Sequence, residues 1–153
     1  MKKKFLVVID DSQELSNAIY FAANRAIHTE GKLSLLYIVD PAMNAQWARV
    51  ENLIEQEETS EAKKLCREWA QKIKKRFNIE SEIIIKIGDR IDELMKLIEE
   101  DENIRFLVLA SSPNNENPGP IIEELTGKRI KDLAIPIVIV PGSLSEKDID
   151  LLA

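Results

Sequence analysis

The chain has 153 residues, 44% of them hydrophobic and 31% charged, with a formal net charge of -6, the size and mixture of one globular domain spanning 1–153. The acidic balance excludes sequence-independent binding to nucleic acid or to an anionic membrane surface, which needs an excess of Lys and Arg, and no stretch reaches the roughly 18 apolar residues of a membrane-spanning helix. A single cysteine, Cys66, allows no internal disulfide, so the expected setting is the reducing cytoplasm.

Lys2, Lys3 and Lys4 lead into Phe5-Leu6-Val7-Val8-Ile9, an unbroken apolar run of the kind found in a parallel strand covered on both faces. The run ends in Asp10-Asp11-Ser12. Leu15, Ala18, Ile19, Ala22 and Ala26 then recur at helical spacing, and Asp11 with Glu14 has the spacing of a capping box. Gly31 stops this helix, and Leu33 to Val39 forms a second buried strand closed by Asp40-Pro41. Over residues 42–58, Trp47, Val50 and Ile54 make a thin stripe that reads as a mobile helix. After Thr59-Ser60 a firmer helix places Ala62, Leu65, Cys66, Trp69, Ile73 and Phe77 on one face. Cys66 and both tryptophans are therefore packing residues. Lys72, Lys74, Lys75 and Arg76 read as solvated cations at the negative end of that helix's dipole.

Ile83-Ile84-Ile85 with Ile87 is a third strand, polar at its flanks and so expected at an edge. Gly88-Asp89 turns the chain into a helix carried by Ile91, Leu94, Met95 and Ile98. Phe106 to Ala110 is a fourth strand, and Ile137 to Val140 a fifth, stopped by Pro141-Gly142. Between these two, a polar segment from Ser111 to Pro120 precedes a helix expected to bury Ile122, Leu125, Ile130 and Leu133. The tail from Ser143, with Ile149, Leu151 and Leu152, either packs as a last helical turn or frays.

Five parallel strands joined by helical, right-handed crossovers define an α/β fold with a doubly wound sheet. Such sheets bind ligands outside the carboxyl ends of their strands, where the winding reverses. With the first and fourth strands as central neighbours, that point lies between Asp10 and Ser111, with Ser112 beside it. His28, the only histidine, falls near the end of the first helix, away from those strand ends, which leaves no Ser-His-Asp or Cys-His arrangement. The first strand is followed by Asp10-Asp11-Ser12-Gln13-Glu14 instead of G-x-G-x-x-G, and Gly127-Lys128 lacks the upstream glycine of a P-loop. Asp10, Asp11 and Asp40 could gather around a hard cation such as Mg2+, but turn and cap roles account for them and no resident metal is expected.

Taken in order, Phe5 to Ser12, Leu35-Leu36-Tyr37-Ile38-Val39-Asp40-Pro41, Gly88-Asp89, Phe106 to Ala110 and Pro136-Ile137-Val138-Ile139-Val140-Pro141 resemble the universal stress protein family over almost the whole chain. Pro118-Gly119-Pro120 and Val140-Pro141-Gly142-Ser143-Leu144-Ser145 look closest to a branch found in alphaproteobacteria. The resemblance implies a sheet ordered 3-2-1-4-5, of the adenine nucleotide alpha hydrolase-like kind, a homodimer, and a role in stress survival rather than in a catalytic step. An apolar edge strand, Ile137 to Val140, gives the dimer a physical basis, because left bare it is an aggregation hazard and a two-fold axis covers it.

The resemblance also brings ATP, with Mg2+, into consideration as a ligand. Some members of the family hold its adenine against the ends of the first two strands, where Asp10 and Val39 stand here. They hold its phosphates on a G-x-x-G-x9-G-(S/T) motif after the fourth strand. Without gaps those motif positions are Ala110, Pro113, Glu123 and Glu124; with a gap, Gly119 and Gly127 followed by Lys128. Proline removes an amide donor, a side chain at a glycine position obstructs close approach, and two carboxylates oppose a triphosphate. The expectation is a non-catalytic stress-response protein with a degenerate nucleotide motif, acting through dimer and partner contacts, with Ser111 to Pro120 as a lid. The alternative is a small-ligand sensor that binds ATP or another adenine nucleotide, with slow hydrolysis as its extension.

Overall fold

The computed structural model describes residues 2–41, 51–114 and 116–153, the side chains of 51–55 excepted. Its elements are β1 (Lys4–Val8), α1 (Leu15–His28), β2 (Lys32–Val39), α2 (Glu51–Phe77), β3 (Ser81–Ile87), α3 (Arg90–Glu100), β4 (Ile104–Ser111), α4 (Pro120–Thr126), β5 (Ile137–Pro141) and α5 (Glu146–Leu152). The strands are all parallel, in the order β3-β2-β1-β4-β5. This is the doubly wound sheet that the sequence predicts, with β3 at one edge and β5 at the other.

Side chains alternate between the two faces of a strand, and in β1 both sets are apolar because both faces are covered. Phe5, Val7 and Ile9 pack with Ile19 of α1, Cys66 and Ile73 of α2, and Ile149 of α5. Leu6 and Val8 pack on the opposite face with Leu94 and Ile98 of α3 and Ile122 and Leu125 of α4. Cys66 is fully buried, and burial pushes its thiol up to about 11. It is core, as its place on the helix face predicts.

Four expectations need correction or limits. Asp11 and Glu14 form no capping box: Asp10 instead accepts hydrogen bonds from the Ser12 amide and hydroxyl, and α1 starts a turn later than Asp11 could cap, with Glu14 at its N-cap and no side-chain bond there. The helix expected over 42–58 lies outside the described residues as far as residue 50, Trp47 included, and from Glu51 the chain runs through Thr59-Ser60 as one helix. Ile130 is half exposed instead of buried, because α4 stops at Gly127 and a short 3-10 turn, Ile130–Asp132, rotates it outward while Leu133 packs inward. Arg76 is no solvated end: its guanidinium lies 4.4 Å from the Tyr20 ring centre and pairs with Glu146 at 2.7 Å and Asp150 at 3.4 Å, clasping α5 to the middle of α1 and the end of α2. The tail packs. Ser145 and Asp148 cap α5 reciprocally, and Ile149 is fully buried, whereas Leu151 and Leu152 remain exposed.

At the amino ends of the strands Lys4 links three elements. Its Nζ donates to Asp101 beyond α3 at 2.7 Å and to Glu82 of β3 at 3.1 Å, and Glu82 also accepts from the fully buried Ser34 hydroxyl. Burial alone would raise the Asp101 carboxyl, but hydrogen bonds from Lys4 and from the Asn103 amide outweigh it and hold it below the usual 3.8. A carboxyl depressed in the folded state contributes stability above its unfolded value and loses it as pH falls through the folded one. Asp101→Asn is expected to cost about 1–3 kcal/mol near pH 7, measured by urea unfolding. The difference from the wild type is expected to shrink as pH falls below about 4; a gap that does not change with pH would show that the charge on Asp101 contributes nothing.

Candidate functional site

The carboxyl ends of β1, β2 and β4 open on two adjoining clefts. One, of about 200 Å³, lies between the end of β1, the start of α1 and the start of α4; Asp10, Asp11, Glu14, Arg90, Ala110 and Gly119 are among its walls. The other, of about 300 Å³, lies toward β2 and α2, with Ile9, Tyr37, Val39 and Leu65 in its walls. Asp10, Asp11 and Arg90 border both clefts, so they divide one crevice at the point where the sheet winding reverses.

Asp10 is held by its own turn. Its Oδ1 accepts from Ser12 N at 2.9 Å and Ser12 Oγ at 2.6 Å, a local bond that ends the strand and fixes the carboxylate in the wall. On the β2 side, Val39 O accepts from Gly88 N at 2.9 Å and Asp40 Oδ2 from Arg90 N at 3.4 Å, which ties the start of α3 to the end of β2. Gly88 has φ +151, and a Cβ there would come within 2.8 Å of the Glu93 side chain. Only glycine makes that turn without strain. Burial, then the carboxylates of Glu58 and Asp11, push the Tyr37 phenol above its usual 10 against the opposing pull of Arg90. Tyr37 therefore stays a neutral donor.

On the β4 side the segment from Ser112 to Gly119 folds onto itself. Ser112 N donates to Pro118 O at 3.1 Å, and Gly119 N to Asn117 Oδ1 at 2.9 Å. Pro113, Pro118 and Pro120 have no amide hydrogen. A phosphate loop works by aiming free backbone N–H groups at the anion; here five such positions are proline or are spent inside the segment. Glu123 and Glu124 fall within α4.

Asp10, Ala110 and Gly119 thus share the first cleft, and Val39 lines the second. Ser111 does not face either: it pairs with Pro141 at the β4–β5 edge. Ser112 lines a third depression, of about 470 Å³, with Gln13, Pro113 and Asn117. Gly127 and Lys128 are set apart, at the far end of α4, with Gly127 about 12 Å along the helix axis from Gly119, and Lys128 is exposed. Arg90 and Tyr37 were missed as site residues, since each reads in sequence as an ordinary helix-start or strand residue. Among the described residues no group of three or more potential ligands could hold a metal ion, and no helix is long and apolar enough to cross a membrane.

A sequence profile of the universal stress protein family matches residues 1–141. The chain belongs to this family. Comparison with the curated proteins finds no match. Among solved structures, this universal stress protein is similar to universal stress protein UspA from Lactobacillus plantarum, with TM-score 0.74 and 18% identity over 90% of this chain and 97% of that one. It is also similar to a universal stress protein in complex with cAMP (TM-score 0.62, 18% identity, 93% and 98% covered), and to one from Archaeoglobus fulgidus in complex with dAMP (TM-score 0.60, 16% identity, 90% and 97% covered). At these identities the likeness is one of fold.

Beyond the matched residues, Gly142 sits against the end of β4 and the start of the segment that follows it. A Cβ there would meet the Ser111 carbonyl oxygen, and at 2.9 Å Cδ of Pro113. Gly142→Ala is expected to lose about 1–3 kcal/mol by overpacking, read as a lower urea midpoint with the slope unchanged, and to speed proteolysis within 112–119. Wild-type behaviour in both measurements would mean that the segment after β4 is not seated on this glycine.

Proposed function

We propose that this universal stress protein acts without catalysis, through contacts of its own dimer and of protein partners, with a crevice no longer built for a triphosphate. The observation that carries this reading is the loss of amide donors after β4: the Ser112 and Gly119 amides are bonded within the segment, and Pro113, Pro118 and Pro120 have none. The carboxylates of Asp10, Asp11 and Glu14 around the first cleft add charge opposition to a polyphosphate. His28 and Cys66 give no nucleophile or base at the crevice: His28 Nδ1 is 3.0 Å from Ala153 O at the opposite end of α1, and the Cys66 thiol stays protonated in the core. The cytoplasm remains the proposed compartment, on the strength of the single unpaired cysteine. The alphaproteobacterial-type branch rests on the Pro118-Gly119-Pro120 and Val140 to Ser145 stretches alone.

A second reading is favoured by the second cleft. Its place at Ile9, Val39 and Tyr37 is where the family resemblance puts adenine, and two structures of similar fold hold cAMP and dAMP. On this reading the crevice is a sensor for an adenine nucleotide.

Calorimetry of the purified chain with ATP and Mg2+, after examination for co-purified nucleotide, tests the loss of triphosphate binding. The expected outcome is no saturable heat with ATP up to about 1 mM, an affinity limit of about 4 kcal/mol; stoichiometric micromolar binding would overturn it. The proposed dimer uses β5, the edge strand on which Ile139 is 41% exposed. Light scattering at micromolar concentration is expected to give twice the chain mass of 17.4 kDa, and Ile139→Lys to give the monomer.

A further inference from the structure

The crevice is acidic on every side but one. Among the described residues that line its two clefts, Arg90 is the basic one, and its guanidinium makes no ion pair with any described carboxylate although Asp10 and Asp11 border the same clefts. Its backbone is fixed from two directions. Asp40 accepts from its own N–H at 3.4 Å, and the neighbouring Asp89 caps α3 by accepting from Asp92 N at 3.2 Å. The start of α3 is thereby anchored to the end of β2, with the half-buried Arg90 side chain at the boundary between the adenine-side cleft and the lid-side cleft.

We propose that Arg90 is the anion-recognising residue of this crevice and that the ligand it selects is an adenine nucleoside monophosphate, open or cyclic, in preference to a di- or triphosphate. This rests on the second reading above, the crevice as an adenine-nucleotide sensor. A guanidinium is charged at any physiological pH and presents paired donors that match two phosphate oxygens. One such group satisfies one phosphate. Further phosphates would extend toward Glu14 and the lid, where the Ser112 and Gly119 amides are already spent and Pro113, Pro118 and Pro120 offer none. Arg90 thus takes over, from the start of α3, the anion contact that the family resemblance places on glycine amides after β4.

The test is calorimetry on the full chain with AMP, cAMP, ATP, adenosine and inorganic phosphate, repeated on Arg90→Gln and Arg90→Lys, each checked for wild-type circular dichroism. AMP or cAMP is expected to bind at least about 10-fold tighter than adenosine or ATP. Arg90→Gln is expected to weaken the monophosphate about 10- to 100-fold while leaving adenosine within about 2-fold, and Arg90→Lys to recover part of the loss. If adenosine and AMP bind equally, or Arg90→Gln binds AMP as the wild type does, the role of Arg90 is overturned while the adenine site stands. If ATP binds tighter than AMP, the monophosphate preference is overturned. If neither adenosine nor any nucleotide binds, the sensor reading itself fails and the inference with it. Should Arg90→Gln not fold, Arg90→Lys carries the test, with unchanged AMP affinity counting against the paired-donor contact.

Discussion

β1 is hydrogen-bonded to a parallel neighbour on each edge and covered by helices on each face. A strand so enclosed leaves no backbone or side-chain group for water until it ends, and it ends sharply: Ile9 still donates to Leu36 O at 2.7 Å and is 2% exposed, while Asp10 is already a turn. Everything at the crevice follows from that change of surroundings within one residue. The chain must leave toward one face as α1, and the next strand on the other side, β4, sends its own connection toward the opposite face. The gap between the two departures is the crevice, and its first polar lining residue is necessarily the one that ends β1.

The strands and the faces of the helices were legible because they follow from burial, and burial writes a period into the sequence. The unbroken run Phe5 to Ile9 reports two covered faces, and the polar flanks of Ile83 to Ile87 report an edge. Local polar chemistry was less legible. Asp10 and Asp11 are identical neighbours, and only the geometry of the turn decides that the first is bonded to Ser12 while the second is exposed. Ile130 kept its hydrophobic period on paper, yet a helix that stops three residues earlier makes the period irrelevant. Ser145 and Asp148 carried a capping signal that a short tail did not advertise. Arg90 and Arg76 have partners or cavities contributed by segments far away in the chain, and no spacing rule in one dimension encodes those.

The site itself divides along the same line. Motif letters after β4 already differed from the family's glycines, but absence of a glycine does not by itself abolish a phosphate loop, since any residue with a free amide can donate. What decides the matter is where the remaining donors go. The Ser112 and Gly119 amides are both bonded within the segment, and Gly119 at φ +128 holds a backbone angle that other residues rarely adopt. With those two amides bonded within the segment and three positions proline, the electrostatics of the crevice depend chiefly on side chains, with Arg90 opposing Asp10, Asp11 and Glu14.

The Cys66 side chain, closed off between α2 and the sheet and kept protonated by its surroundings, sets a limit on the kinds of stimulus the chain can register directly. Peroxides and disulfide reagents act on accessible thiolates, and at neutral pH this protein presents none. Thiol oxidation is therefore closed to it as a direct means of sensing, since its one thiol is neither exposed nor ionised.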